Sequence, residues 1–126
     1  MKKEIIAIII LILLFSSTIL NTLFLTRSID SLVSAVNNSE AAATSGDLNK
    51  AVSELEYVSG KWKGMDFYTN IFVRDGEIDS VTDALYELFS YLYNGDTDSA
   101  KGAYGKLRAH LVSISDAEQI TLSNIF

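Results

Sequence analysis

The chain contains no cysteine and no proline, and only one histidine and one tryptophan among its 126 residues. Without cysteine there is no disulfide, no thiolate metal site and no residue for a lipoprotein to acylate. Without proline, nothing interrupts a long helix. No Gly-x-Ser-x-Gly, no His-Glu-x-x-His and no phosphate-cradling glycine loop occurs, so the sequence offers no catalytic constellation, no metal centre and no cofactor site, and it reads as a non-enzyme. Basic residues are also scarce. From Arg27 onward there are 8 lysines and arginines against 15 aspartates and glutamates, a net of −7. A field of that sign repels nucleic acid and anionic headgroups, which removes nucleic-acid binding from consideration.

What the chain has in abundance is aliphatic side chains, concentrated at one end. The stretch from Ile5 to Leu25, IIAIIILILLFSSTILNTLFL, carries no charge and as a helix spans about 31 Å, the thickness of a bilayer's hydrocarbon core. Lys2 and Lys3 precede it and only Arg27 follows closely, soon offset by Asp30. An excess of lysine and arginine marks the cytoplasmic side. The reading is a single-pass plasma-membrane protein with residues 1–4 as a short cytoplasmic tail, 5–25 as the transmembrane helix, and 26–126 as an extracytoplasmic domain. The alternative is secretion after signal cleavage, with Ser16-Ser17-Thr18 as the polar cleavage region. No A-x-A triplet follows, and apolar residues resume at Ile19, Leu20 and Leu23.

An internal repeat organises the remainder. Shifted by 49 residues, the stretch from Ser28 to Val36 falls on Glu77 to Leu85, Gly46-Asp47 falls on Gly95-Asp96, and Ala51 falls on Ala100. Each unit, about 28–66 and 77–115, opens with Ile-Asp-Ser, runs as a helix, breaks at Gly-Asp and starts a second helix. Glycine supplies the left-handed conformation that ends a helix, and the aspartate accepts hydrogen bonds from the free N–H groups of the next. Apolar residues at three- and four-residue steps (Ile78, Val81, Leu85, Leu88, Leu92; then Ala100, Ala103, Tyr104, Leu107, Leu111) agree with helices throughout. The expected fold is all-α: an N-terminal transmembrane helix running, with no turn signal between Leu25 and Ile29, into a four-helix bundle of two αα-hairpin repeats. Asp66 to Gly76 is expected to continue the second helix to near Phe72 and then turn at Arg74-Asp75-Gly76. Gly60, Gly64, Gly102 and Gly105 are expected where helices cross closely or fray.

Candidate sites are few. His110 falls near the apolar face of the fourth helix, a half-buried surface position. The carboxylates of Asp75, Glu77, Asp79 and Asp83 fit helix capping better than a calcium loop, because the glycine and the closing glutamate are misplaced. Aromatic residues, Tyr86, Phe89 and Tyr93 among them, read mostly as core, while Trp62 between Lys61 and Lys63 and any outward tyrosines read as partner contacts. Within the anchor, Ser17, Thr18, Asn21 and Thr22 form a polar strip of the kind that joins transmembrane helices.

The lysine-led anchor, Gly46-Asp47 with Ala51, Trp62, Glu77-Ile78-Asp79 and the ending Ile120 to Phe126 together resemble a bacterial family catalogued as domain of unknown function 4363, small single-pass membrane proteins with an acidic helical outer domain. Arg74-Asp75-Gly76 departs from the histidine-bearing, more helical lead-in of that pattern. The resemblance implies an architecture without a reaction, and, through association with another small membrane protein family, a membrane partner. The function expected is a non-catalytic interaction or accessory module that contacts the bilayer and either a membrane protein or a second copy through its transmembrane helix. The alternative is an extracytoplasmic protein binding a small ligand or cation between its hairpins.

Overall fold

The computed structural model describes the backbone of residues 1–65 and 75–125, with the side chains at 22, 75 and 118–125 outside the description. The described residues form four α-helices and no strand: α1 (Lys2–Thr44), α2 (Leu48–Gly64), α3 (Asp75–Tyr93) and α4 (Thr97–Ile125). α1 is a single helix of 43 residues, long and apolar enough over its first part to cross a membrane. Its surroundings change partway along. Ile5, Leu14 and Leu20 are 56%, 61% and 66% exposed, whereas Leu25, Ile29, Leu32 and Val36 are buried at three- and four-residue steps. The first half therefore presents its apolar side chains all round, and the second half buries one stripe against the other helices.

Two turns of the same construction redirect the chain. Gly46 and Gly95 hold φ at +88° and +71°, the left-handed region that glycine enters without a Cβ clash. At each, the glycine N–H donates to the carbonyl three residues back (Ala43, Leu92; both 3.2 Å), and the aspartate N–H to the carbonyl five back (Ala42, Tyr91; both 2.9 Å). Asp47 and Asp96 then accept from the backbone N–H groups of Lys50 and Ser99 at 3.1 Å, satisfying donors that the new helix leaves free. The bonds from Ser99, its side chain first and its backbone second, hold the Asp96 carboxyl below its usual range.

α1 lies against α2 and α4, and α3 against α4 and α2, with the α2–α3 seam the loosest of these four. Side-chain pairs give the directions: Ser31 with Tyr57 and Ser39 with Ala51 set α2 antiparallel to α1, and Asn37 with Arg108 and Ser39 with Tyr104 do the same for α4. Leu55, Val58, Val81, Leu88, Leu107 and Leu111, none of them accessible, fill the space between the helices. One buried polar node ties three of them. Ser39 Oγ donates to the Ala51 carbonyl at 2.7 Å and lies 2.6 Å from the Tyr104 hydroxyl. Because the serine has one proton and spends it on Ala51, the tyrosine donates to the serine. Burial, the largest influence on it, raises the Tyr104 pKa.

Two expectations are corrected. α2 ends at Gly64, where Met65 N–H closes on the Trp62 carbonyl at 3.1 Å, and the helix expected from Asp66 to near Phe72 lies outside the described residues. Asp75 and Gly76 are already inside α3, where acidic residues in a first turn are favourable; positions 66–74 lie outside the described residues. The helical glycines also do not mark close crossings, since a Cβ at Gly60, Gly64, Gly102 or Gly105 would meet nothing within 4 Å.

Chemical denaturation should separate the two kinds of glycine. Gly46→Ala and Gly95→Ala lose roughly 1–2 kcal/mol each, whereas Gly60→Ala gains up to about 1 kcal/mol. At the polar node, Tyr104→Phe leaves Ser39 bonded and costs about 1 kcal/mol, while Ser39→Ala strands a buried hydroxyl and costs about 1–3 kcal/mol. Raising the folded pKa of Tyr104 means that the unfolded chain gives up its proton first, near pH 10. Its contribution is complete below that pH and is lost as pH rises toward the folded value, a slope that Tyr104→Phe should reduce.

Candidate interaction surface

The loose α2–α3 seam opens outward into a groove of about 570 Å³. α3 carries two apolar stripes. Val81, Leu85, Leu88 and Leu92 face the core, and beside them Ile78, Thr82, Tyr86, Phe89 and Tyr93 line the groove, with Glu56, Ser59, Trp62 and Lys63 opposite on α2. Tyr86 and Tyr93 are both 68% exposed. Phe89 stacks on Tyr93 with ring centroids 6.0 Å apart and planes 17° from parallel. Rings fixed in this way offer large contact area at little entropic cost, which is why tyrosine and tryptophan dominate binding hot spots.

Burial overturns part of the reading of the aromatics. Tyr86 and Tyr93, expected mainly in the core, stand in the open, because α3 turns its first stripe inward and the second faces α2 only across the loosely packed groove. Trp62 moves the other way. It is 4% exposed and packs with Leu55 and Val58, so it is a core residue that forms the groove floor instead of a projecting contact. Phe67, Tyr68 and Phe72 lie outside the described residues.

The polar strip of the apolar segment is placed on α1, with Ser17 and Thr18 exposed and Asn21 partly covered. Thr18 Oγ1 donates to the Leu14 carbonyl at 3.0 Å, so its proton is engaged within its own helix and its oxygen remains an acceptor. The Thr22 side chain lies outside the described residues. Strip and groove belong to different stretches of the chain, the strip on α1 and the groove on α2 and α3.

Elsewhere the polar contacts join helices. Arg108 links α4 to α1 through Asn37 Oδ1 at 2.8 Å and Glu40 at 3.2 Å. Ser31 lies 3.4 Å from the Tyr57 hydroxyl and accepts from Lys61 Nζ at 3.0 Å; the Ser31 bond first, then Lys61, lowers the Tyr57 pKa. His110, half-buried as expected, has Nδ1 4.0 Å from Glu77 Oε2, bridging α4 and α3. No group of three or more metal-ligating His, Cys, Asp or Glu occurs among the described residues.

The signal for the groove was present in the sequence as the second stripe of α3, whose 4-4-3-4 spacing parallels the core stripe one position away. Reading both stripes as a single apolar face hid it. If Tyr86 and Tyr93 are surface groups, Tyr86→Ser and Tyr93→Ser should each change unfolding stability by less than about 0.5 kcal/mol. Trp62→Ala should cost about 3–5 kcal/mol in the same urea titration.

A family model described as a domain of unknown function (DUF4363) matches residues 19–125. The match starts inside the apolar part of α1 and takes in Asn21, both turns and the groove. No curated protein and no solved structure matches the chain. With the matched region running through all four helices, the chain belongs to the DUF4363 family.

Proposed function

We propose that this protein is a non-catalytic interaction module held at the plasma membrane by the first part of α1, with its N-terminus cytoplasmic and residues 26–126 outside. In this reading the four helices close as a bundle of two hairpin repeats, residues 28–66 and 77–115. Their matching Gly-Asp turns and the contacts of each helix with two others support it. The single observation that carries the functional reading is the groove: two tyrosines two-thirds exposed, stacked aromatic support behind one of them and a tryptophan floor. Contiguous apolar surface of this kind on a helical protein commonly marks a protein contact. Inside the membrane, Ser17, Thr18, Asn21 and Thr22 supply a second contact to the same partner or to another copy of the chain.

A different class of function has one observation in its favour. The groove lies between the two hairpins, and its volume falls in the range of small-molecule sites, roughly 300–1,000 Å³. A small apolar ligand held there is the second reading; its cation version has no ligand cluster among the described residues.

Crosslinking and co-purification from native membranes separate the two. Tyr86→Ser with Tyr93→Ser should lower recovery of the membrane partner roughly tenfold or more, and Asn21→Leu with Thr18→Leu should lower it again. Undiminished recovery in both double variants contradicts the interaction module. A thermal shift with amphiphiles or cations at saturating concentration, in wild type but not in the tyrosine variant, would support the ligand reading instead.

A further inference from the structure

We infer that the α2–α3 groove receives an amphipathic helix of the membrane partner, about four turns long and flanked on one side by lysine or arginine. This rests on the interaction reading above and names its partner surface. Direction is the first ground. Lys61 Nζ reaches Ser31, so the Trp62 end of α2 stands level with a point six residues, about 9 Å, beyond Leu25, where α1 first becomes buried. Since α2 and α3 run alongside the continuation of the anchor, the groove starts near the membrane and extends away from it. A helix rising from the bilayer parallel to α1 would run along the same direction as the groove.

Length and pattern agree. From Ile78 to Tyr93 the stripe on α3 covers about 22 Å, the rise of some four helical turns. Its steps of four, four, three and four are the spacing with which one helix packs on another.

Charge selects the occupant. Asp79 and Asp83 each follow a stripe residue by one position, about 100° around the helix on the side away from the core stripe, and both are exposed. Glu56 lines the α2 side, and Lys63 is the one cation among the described lining residues. Two copies joined through this groove would set rims carrying Asp79, Asp83 and Glu56, with Lys63 the one compensating cation among the described lining residues, against each other on chains already at −7 beyond Arg27. A helix with a basic flank meets the same rim with complementary charge.

The probes are two synthetic four-turn peptides sharing one leucine and alanine stripe, one flanked by lysines and the other by glutamates, titrated onto the full chain in zwitterionic nanodiscs. Trp62, the single tryptophan, reports from the groove floor. The lysine peptide should shift its emission saturably and bind roughly tenfold tighter than the glutamate peptide. Asp79→Lys with Asp83→Lys should reverse that order, and Tyr86→Ser with Tyr93→Ser should remove both responses. Equal binding of the two peptides, or a charge reversal without effect, overturns the basic-flank assignment. So does a two-chain mass that falls to one chain in the tyrosine variant, which identifies a second copy, or saturation by a fatty acid and by neither peptide, which identifies an acyl ligand. Co-purification of the partner is read separately, so failure here is distinguishable from failure of the interaction reading.

Discussion

Everything in this structure depends on α1 being one helix with two environments. A helix satisfies its backbone hydrogen bonding within itself, so one continuous element can carry both an apolar stretch long enough to cross a membrane and a stretch packed against other helices. What changes near Leu25 is only which side chains face what. Before it, aliphatic residues point in every direction and none is covered; after it, a stripe from Leu25 through Val36 is buried by α2 and α4. The packed helices therefore do not hang from the apolar segment by a linker. Any tilt or rotation of that segment is passed to them directly.

The packing that holds α1 to its neighbours is mostly aliphatic, and aliphatic burial is tolerant of register. Polar groups set the register. The Ser39, Ala51 and Tyr104 node fixes the heights of three helices at once, because each hydroxyl has one proton and one place to put it. Arg108 repeats the constraint on the outside through Asn37 and Glu40. The two Gly-Asp turns set where the chain reverses. Together these leave α2 and α3 as the pair with least to hold them, and that is where the groove opens.

Much of this was legible in the sequence, and for physical reasons. Four helices follow from three- and four-residue periodicity without proline, and the turns follow from Gly-Asp, since few residues other than glycine take a positive φ and aspartate caps well. Continuity through Thr26-Arg27-Ser28 followed from the lack of any turn residue. Local chemistry does not say which of two neighbouring apolar stripes a helix buries, so Tyr86 and Tyr93 read as core and Trp62 as surface, the reverse of their exposures. Nor could it place the end of α2 at Gly64, where Met65 N–H closes on the Trp62 carbonyl.

The central claim is that the apolar segment and the packed helices form one rigid rod. Since the chain has no native cysteine, spin labels at Leu20→Cys and Asn38→Cys, both at exposed positions of α1, would report on it alone in full-length protein in nanodiscs. A single straight helix predicts a narrow distance distribution centred near 27 Å between the two backbone sites. A broad distribution, or one centred well below that value, would mean that α1 bends where it leaves the apolar segment, and would contradict the account.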